Sequence, residues 1–307
     1  MVLSVHVRGH LDGVPVLIDK ALSLGAYGVA LYFLLSGYFS YPSVKKSTDI
    51  KTYARKKSAR ILPMYYVSLL MTFIVGVFIT GEYPLDFKWL YHVSFINMFI
   101  PSSEWQWWNS VNFFWTMSAF VAWYIISPVL FNWINNSKKA LCATIIATVV
   151  TPFLKKWMYT LANKQFVDWN FFCLLYVFLL GVLAYFIIEE KKQKIGAVCG
   201  VVIAVIGLAV GNRSGFLIFG VFFYLLIILT SFIPFKWKNE KVNSTIKSIS
   251  AITYSTYLTH WFVISALQSV LPKTPWIVGY LAFLLLAGAI GLISYRFIEK
   301  PIDQSLR

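Results

Sequence analysis

The chain has 307 residues, of which 59% are hydrophobic and only 13% are charged, and its mean hydropathy is +0.69. A soluble domain has roughly 45–50% apolar and about 25% charged residues, so this composition excludes a water-soluble enzyme. The formal charge is +15, but the basic residues fall between apolar runs, where they orient a membrane protein and contact anionic lipid headgroups. The charge therefore does not indicate nucleic acid as a partner.

Long apolar stretches bounded by charged or turn residues predict nine membrane-spanning helices of the length that about 30 Å of hydrocarbon requires. They lie at residues 24–41, 62–80, 112–134, 139–154, 170–188, 195–211, 215–234, 249–271 and 276–295. Residues 1–7 form an apolar stub that is too short to span, which we interpret as a truncated first helix. The prediction is an all-α, polytopic membrane bundle of about ten transmembrane helices, folded as a single domain over residues 1–307.

The distribution of Lys and Arg predicts the orientation of this bundle. If residues 89–101 do not span, most basic residues share one side, which the positive-inside rule assigns to the cytoplasm. This arrangement places both termini in the cytoplasm, and we expect the protein in a bacterial cytoplasmic (inner) membrane. Residues 81–111 then form a large outer loop, in which the tryptophans are expected to belong to an interfacial aromatic belt. These are Trp89, Trp105, Trp107 and Trp108.

Few polar groups lie near membrane depth, and such groups are functional candidates by default. The four histidines are His6, His10, His92 and His260. A neutral imidazole is the commonest general base, whereas the alternative interpretation is a histidine that only bonds a neighbouring helix. The three cysteines lie in apolar runs without metal-ligand spacing, so they are expected to be buried core residues and no metal site is predicted.

A basic run over residues 51–63 precedes the second predicted span. On a helix, Lys56 and Lys57 each lie about one turn from Arg60, so several cations share a face. Such cations bind phosphate oxygens well, although an ordinary topology signal is the alternative. Pro63 predicts that the helix starts just inside the membrane.

Two further patterns concern helix packing. Small residues that allow close approach of helices lie at Gly25, Gly28, Ser36 and Gly37. At the end of the last helix, Arg296 and Glu299 are spaced to pair at i, i+3. An exposed pair of this kind contributes only about 0.2–0.5 kcal/mol, so stability alone is a weak reason for it.

In this order, the stretches resemble the acyltransferase 3 family of integral-membrane O-acyltransferases. The stub resembles the end of the family's first helix, where an apolar run finishes in a catalytic histidine, here His6. Four further segments are similar to the family's G-V-x-x-F-F-x-x-S-G-F/Y, basic-x-x-Arg-Ile-x-Pro-x-Tyr, Y-S-x-Y-L-x-H and Y-R-F-I-E-K/R-P signatures. They are residues 28–38, 57–66, 254–260 and 295–301. The resemblance covers nearly the whole chain.

Some features depart from the family pattern. The arginine that usually precedes the histidine in the first helix is not in this sequence, and Lys57 replaces the first arginine of the basic pair. Of the family's His-x-Trp-Ser-Leu-Ser-x-Glu-Glu stretch, only the Trp115 and Ser118 positions persist, so no role is transferred from its acidic residues. His6 and His10 are both candidates for the family histidine, and we assign the role to His6.

The resemblance implies an O-acetyltransferase, an acyltransferase transferring groups other than aminoacyl groups. It implies transfer of an acetyl or other short acyl group from acyl-CoA to a hydroxyl of a cell-surface or lipid-linked glycan. Acyl-CoA is then a co-substrate, no cofactor is expected to be bound, and the partners are the glycan acceptor and membrane lipids. The alternatives are a transporter or flippase of a lipid-linked sugar or small solute, and a non-catalytic family member.

The resemblance also implies roles for individual residues. His6 is expected to be the catalytic base, and Arg60, Lys57 and Arg55 are expected to bind the phosphates of acyl-CoA. Three residues are expected to orient the acceptor or the base, namely His260, Tyr257 and Trp115. The remaining motif residues are expected to be structural, namely Ser36, Gly37, Arg296 and Glu299.

Overall fold

The computed structural model describes residues 1–79, 81, 85–100, 112–233, 240–270 and 274–305. Within these ranges the chain is helical and forms no β-strand. The contacts divide it into two compact units. The first unit comprises Met1–Gly28, Arg55–Pro84 and Lys236–Arg307, and the second comprises Val29–Ala54 and Leu85–Phe235.

Each of the nine predicted spans contains a helix. The α-helices of the described residues are α1 (Val2–Arg8), α2 (Val16–Ser23), α3 (Gly28–Lys45), α4 (Ile50–Phe73), α5 (Trp89–Val93), α6 (Trp115–Leu130), α7 (Ser137–Met158), α8 (Lys164–Trp169), α9 (Phe171–Glu189), α10 (Gln193–Ala209), α11 (Gly215–Thr230), α12 (Glu240–Val270), α13 (Trp276–Ser294) and α14 (Lys300–Ser305). A π-helix continues α4 over Ile74–Ile79, and another continues α13 over Tyr295–Glu299.

Five helical stretches of the described chain are long and apolar enough to cross a membrane. They are Val16–Lys45, Ile50–Phe78, Ser137–Met158, Lys164–Glu189 and Trp276–Ile302. The apolar helices α6, α10 and α11 have 16 or 17 residues, which at 1.5 Å per residue falls short of about 30 Å of hydrocarbon. The all-helical membrane architecture is therefore confirmed, whereas the count of about ten spans stays a prediction.

In the first unit, α12 and α13 form an antiparallel pair that packs against α1. Their shared core contains Val7, Val263, Ile264, Phe283 and Ala287. Helix α4 contacts α12 through two hydrogen bonds: the Tyr254 hydroxyl donates to the carbonyl of Ile61 at 2.7 Å, and Ser68 Oγ donates to the carbonyl of Leu258 at 2.6 Å. Because both partner numbers increase together, α4 and α12 run in the same direction.

In the second unit, α9 is buried along most of its length. It packs against α3 so closely that a Cβ atom on Gly37 would lie 1.9 Å from the carbonyl oxygen of Phe178. The reverse holds at Gly181, where a Cβ atom would lie 1.9 Å from the carbonyl oxygen of Leu34. The two helices therefore touch backbone to backbone, which is the role that small residues play in membrane helix pairs.

The structure corrects the prediction that a helix starts at Pro63. Helix α4 begins at Ile50, and Asp49 caps it by accepting the backbone N–H of Thr52 at 2.7 Å. This N–H and the hydroxyls of Thr48 and Thr52 hold the pKa of the Asp49 carboxyl below its usual value. Pro63 lies inside α4, where it removes one backbone donor without ending the helix.

Two predictions about single side chains are also wrong. Trp89 is buried, so it cannot form part of an interfacial belt facing lipid headgroups, while Trp105, Trp107 and Trp108 lie outside the described residues. Cys142 is exposed on α7, although Cys173 and Cys199 are buried as predicted. The part of residues 89–101 that is described contains only short helical segments.

Candidate functional site

The first unit brings His6 and His260 together. Their ring centroids lie 5.0 Å apart with an interplanar angle of 45°. His260 is fully buried on α12, and His6 is half-buried on α1. Helix α1 is held on either side of His6, because Ser4 Oγ and the Tyr280 hydroxyl are hydrogen-bonded at 2.8 Å and Val7 belongs to the shared core. Two imidazoles that are 254 residues apart in sequence thus form one site.

The backbone of α12 sets the hydrogen-bonding state of His260. Its Nδ1 donates to the carbonyl of Tyr257, and in a neutral imidazole this leaves the lone pair on Nε2. The Tyr257 ring stacks on the His260 ring with centroids 5.7 Å apart. Tyr257, which was predicted to orient the acceptor, therefore contacts His260 with both its carbonyl and its ring.

Trp261 is a component of the site that the sequence analysis missed. Its ring lies 6.1 Å from His6, 6.0 Å from His10 and 6.4 Å from His260, with interplanar angles of 79°, 84° and 87°. Its position directly after His260 is the one sequence signal that could have indicated it. His10 is exposed, and partial desolvation lowers the pKa of its imidazole from the ordinary value.

The predicted cations lie on α4 in the same unit. Arg55 and Arg60 are exposed, and Lys57 is half-buried. The Tyr254 hydroxyl bonds the carbonyl next to Arg60, at Ile61. His260 follows Tyr254 by six residues, which is about 9 Å along the axis of α12. The first unit thus contains a group of cations and, a short distance along the helix axes, the imidazole pair.

The tail motif contacts α12 in a way that differs from the predicted i, i+3 pair. The buried Glu299 carboxylate accepts a hydrogen bond from Ser255 Oγ at 2.6 Å, and Arg296 is exposed. Both tail residues lie in the π-helix Tyr295–Glu299, whose i→i+5 bonding changes the relative direction of residues three positions apart. The motif therefore fixes the end of α13 to α12 at Ser255, which lies five residues before His260.

The other predicted site residues belong to the second unit. Trp115 is buried and stacks on Trp169 with centroids 5.2 Å apart and an interplanar angle of 10°. Ser36 donates a hydrogen bond to the Tyr124 hydroxyl at 3.1 Å, and Gly37 packs on α9. These contacts indicate packing roles within that unit. The described residues contain no group of three or more His, Cys, Asp or Glu side chains that could hold a metal ion.

Together, these observations define a helical integral-membrane protein with a pair of contacting imidazoles in its first unit. A model of the acyltransferase 3 family, described as an acyltransferase domain, matches residues 1–296. The chain therefore belongs to the acyltransferase 3 family, as the sequence motifs predict, and this membership supports a membrane acyltransferase in general terms. No curated protein and no solved structure matches it.

Proposed function

We propose that the protein is a membrane O-acyltransferase that moves an acetyl or other short acyl group from acyl-CoA to a hydroxyl of a cell-surface or lipid-linked glycan. The observation that carries the proposal is the contact between His6 and the buried His260, at 5.0 Å between ring centroids. Acylation of a hydroxyl by a thioester is promoted by a general base that accepts the hydroxyl proton. The family match supports acyl transfer as the reaction class.

In the proposed reaction, the His6 imidazole accepts the proton of the acceptor hydroxyl while the hydroxyl oxygen attacks the thioester carbonyl. The carbon–sulfur bond then breaks, and the CoA thiolate accepts this proton from the His6 imidazolium. The products are an ester and free CoA thiol, so no other reactant is consumed. General base catalysis of this kind contributes typically 10²–10⁴ in rate. His260, whose Nδ1 is held by a backbone carbonyl, orients His6 or the acceptor.

Acyl-CoA enters from the cytoplasmic side in this proposal. Arg60, Lys57 and Arg55 bind its phosphates, because guanidinium and ammonium groups form charge-assisted hydrogen bonds with phosphate oxygens. The offset of about 9 Å along the helix axis leaves the pantetheine arm to carry the thioester from these cations to His6. This assignment is supported by the exposure of Arg55 and Arg60 on α4 and by the two bonds that join α4 to the helix of His260.

The proposal is tested by incubating membranes that contain the full chain with labelled acetyl-CoA. Label is expected in a glycan fraction, and His6→Ala is expected to lower its incorporation about 10²–10⁴-fold while membrane insertion is unchanged. His10→Ala is the matched variant, since it removes the other imidazole of this segment, which lies just after the end of α1.

Activity that survives His6→Ala but is lost in His10→Ala would transfer the role of base to His10. Activity that survives both changes would contradict the proposed chemistry. An absence of transfer in the unaltered protein, together with movement of a lipid-linked sugar across the membrane, would establish the flippase instead.

A further inference from the structure

We propose that Trp261 is a positioning residue for the imidazole pair, and that its indole holds the His6 ring in place against His260. The inference rests on the proposed function of His6 as a base. It goes beyond that function because it assigns a role to a side chain that no motif of the sequence indicates.

The geometry of Trp261 supports this role. One indole contacts the rings of His6, His10 and His260, with centroid distances of 6.0 to 6.4 Å and interplanar angles of 79° to 87°. These values are those of edge-to-face aromatic contacts, which prefer centroid separations of about 4.5–7 Å. Trp261 therefore contacts the imidazole pair on both of its helices, α1 and α12.

Trp261 is itself held in place. Its ring packs against the core cluster that contains Val7 of α1 and Phe283 of α13, so its position follows from three helices. Trp261 and His6 are both half-buried, and His6 lies on a helix of only seven residues. The indole, which packs against this core, lies beside the His6 ring and limits the space into which that ring can rotate.

The nitrogen of a base must lie within about 2.6–3.2 Å of the oxygen whose proton it removes, and a displacement of about 1 Å can cost about 100-fold in rate. Loss of the indole would let the His6 ring leave its position and would admit water beside it. The phosphates of the donor are bound on α4 in the proposed function. Trp261 is therefore expected to affect kcat and not KM for acyl-CoA.

The test replaces Trp261 in the full chain and measures transfer from acetyl-CoA. Trp261→Ala is expected to lower kcat by about 10-fold to 100-fold with KM for acetyl-CoA within about twofold, and Trp261→Phe is expected to restore most of the rate because it keeps an aromatic edge. Trp133→Ala is the matched control, since Trp133 is 75% exposed in the second unit. If the alanine variant does not fold, Trp261→Leu takes its place.

A second measurement does not depend on catalysis. Diethyl pyrocarbonate modifies accessible imidazoles, and the modified residues are identified by mass spectrometry. We expect His6 to be modified several-fold faster in Trp261→Ala than in the unaltered protein, with near-normal modification in Trp261→Phe. The rate at His92, which is buried in the second unit, is expected to stay constant.

Unchanged kcat and unchanged modification of His6 in Trp261→Ala would overturn the inference. If His6→Ala abolishes transfer in the same experiment, the proposed function still stands. Faster modification of His6 in a protein that transfers no acyl group would instead uphold the contact and refute the enzymatic function.

Discussion

Residues 254–260 bond to two neighbouring helical segments within two turns of α12. Tyr254 donates to a carbonyl of α4, Ser255 donates to the carboxylate of Glu299, and the carbonyl of Leu258 accepts from α4. Loss of a partner for a buried polar group costs about 1–3 kcal/mol, so each bond restricts the position of the helix. His260 lies at the end of this stretch and is held by the helices that these bonds connect.

The cations of α4 offer a test at the level of one residue. Arg60→Ala is expected to raise KM for acetyl-CoA about tenfold, equivalent to about 1.4 kcal/mol, because the charge-assisted hydrogen bond to phosphate that we propose for Arg60 is lost. In the proposed reaction Arg60 takes no part in the chemical step, so kcat is expected to change little. Steady-state kinetics at several acetyl-CoA concentrations separate the two parameters.

Lys51→Ala is the matched control for Arg60→Ala. Lys51 is exposed on the same helix and carries the same charge, but nine residues separate the two positions, which places them about 180° apart around the axis. An equal rise of KM in both variants would indicate a general effect of charge and would reduce the cluster to a topology signal.

At the scale of elements, the contact between α3 and α9 depends on Gly37 and Gly181. Each lies against a backbone carbonyl of the other helix, and a backbone atom cannot move aside as a side chain can. Within lipid the hydrophobic effect does not drive helices together, so van der Waals contact at such positions stabilises their association. The contact fixes the position of α3 within the second unit.

We expect Gly37→Ala and Gly181→Ala each to destabilise the protein by about 1–3 kcal/mol, the usual cost of overpacking. Gly288→Ala is the control, because Gly288 lies inside α13 and a methyl group added there would meet nothing within 4 Å beyond its own helix backbone, among the residues that the structure describes. That change is expected to be neutral or to stabilise by up to about 1 kcal/mol. Thermal unfolding in detergent, followed by circular dichroism, measures all three. Equal melting temperatures for the three variants would show that the close approach is not required.

The sequence predicts elements better than it predicts partners. Apolar runs locate nine helices because the backbone groups of a segment in lipid must be hydrogen-bonded within that segment. The start of α4 is instead marked by the hydrogen bond that Asp49 accepts from the backbone N–H of Thr52, which the stronger signal of Pro63 obscured. Glu299 bonds to Ser255, which is 44 residues away on another helix, and nothing in the local sequence distinguishes Trp261 from an ordinary core residue. Contacts of this kind follow from tertiary packing, which no local pattern contains.

At the scale of the whole molecule, the parallel course of α4 and α12 bears on orientation in the membrane. Two hydrogen bonds of the first unit set this relation, and it requires both helices to begin on the same side if both span. The basic segments at residues 42–61 and 235–248 include the first residues of these helices. The positive-inside rule independently assigns both segments to the cytoplasm.

Single cysteines can test this orientation. With Cys142, which is exposed, replaced by alanine, we expect Lys51→Cys and Lys241→Cys to react with a membrane-impermeant maleimide in inside-out vesicles only. Leu85→Cys, at a position that is 73% exposed, is expected to react in right-side-out vesicles only. Reaction of Lys51→Cys and Lys241→Cys from opposite sides would contradict the proposed topology.

The bond between His260 and the carbonyl of Tyr257 has a consequence for genetics. Every amino acid supplies the same carbonyl, so no codon change at position 257 deletes this acceptor as long as α12 keeps its helical course. A mutational screen would detect position 257 only through its ring. The helical backbone therefore determines which imidazole nitrogen carries the hydrogen, and substitutions at position 257 do not change it.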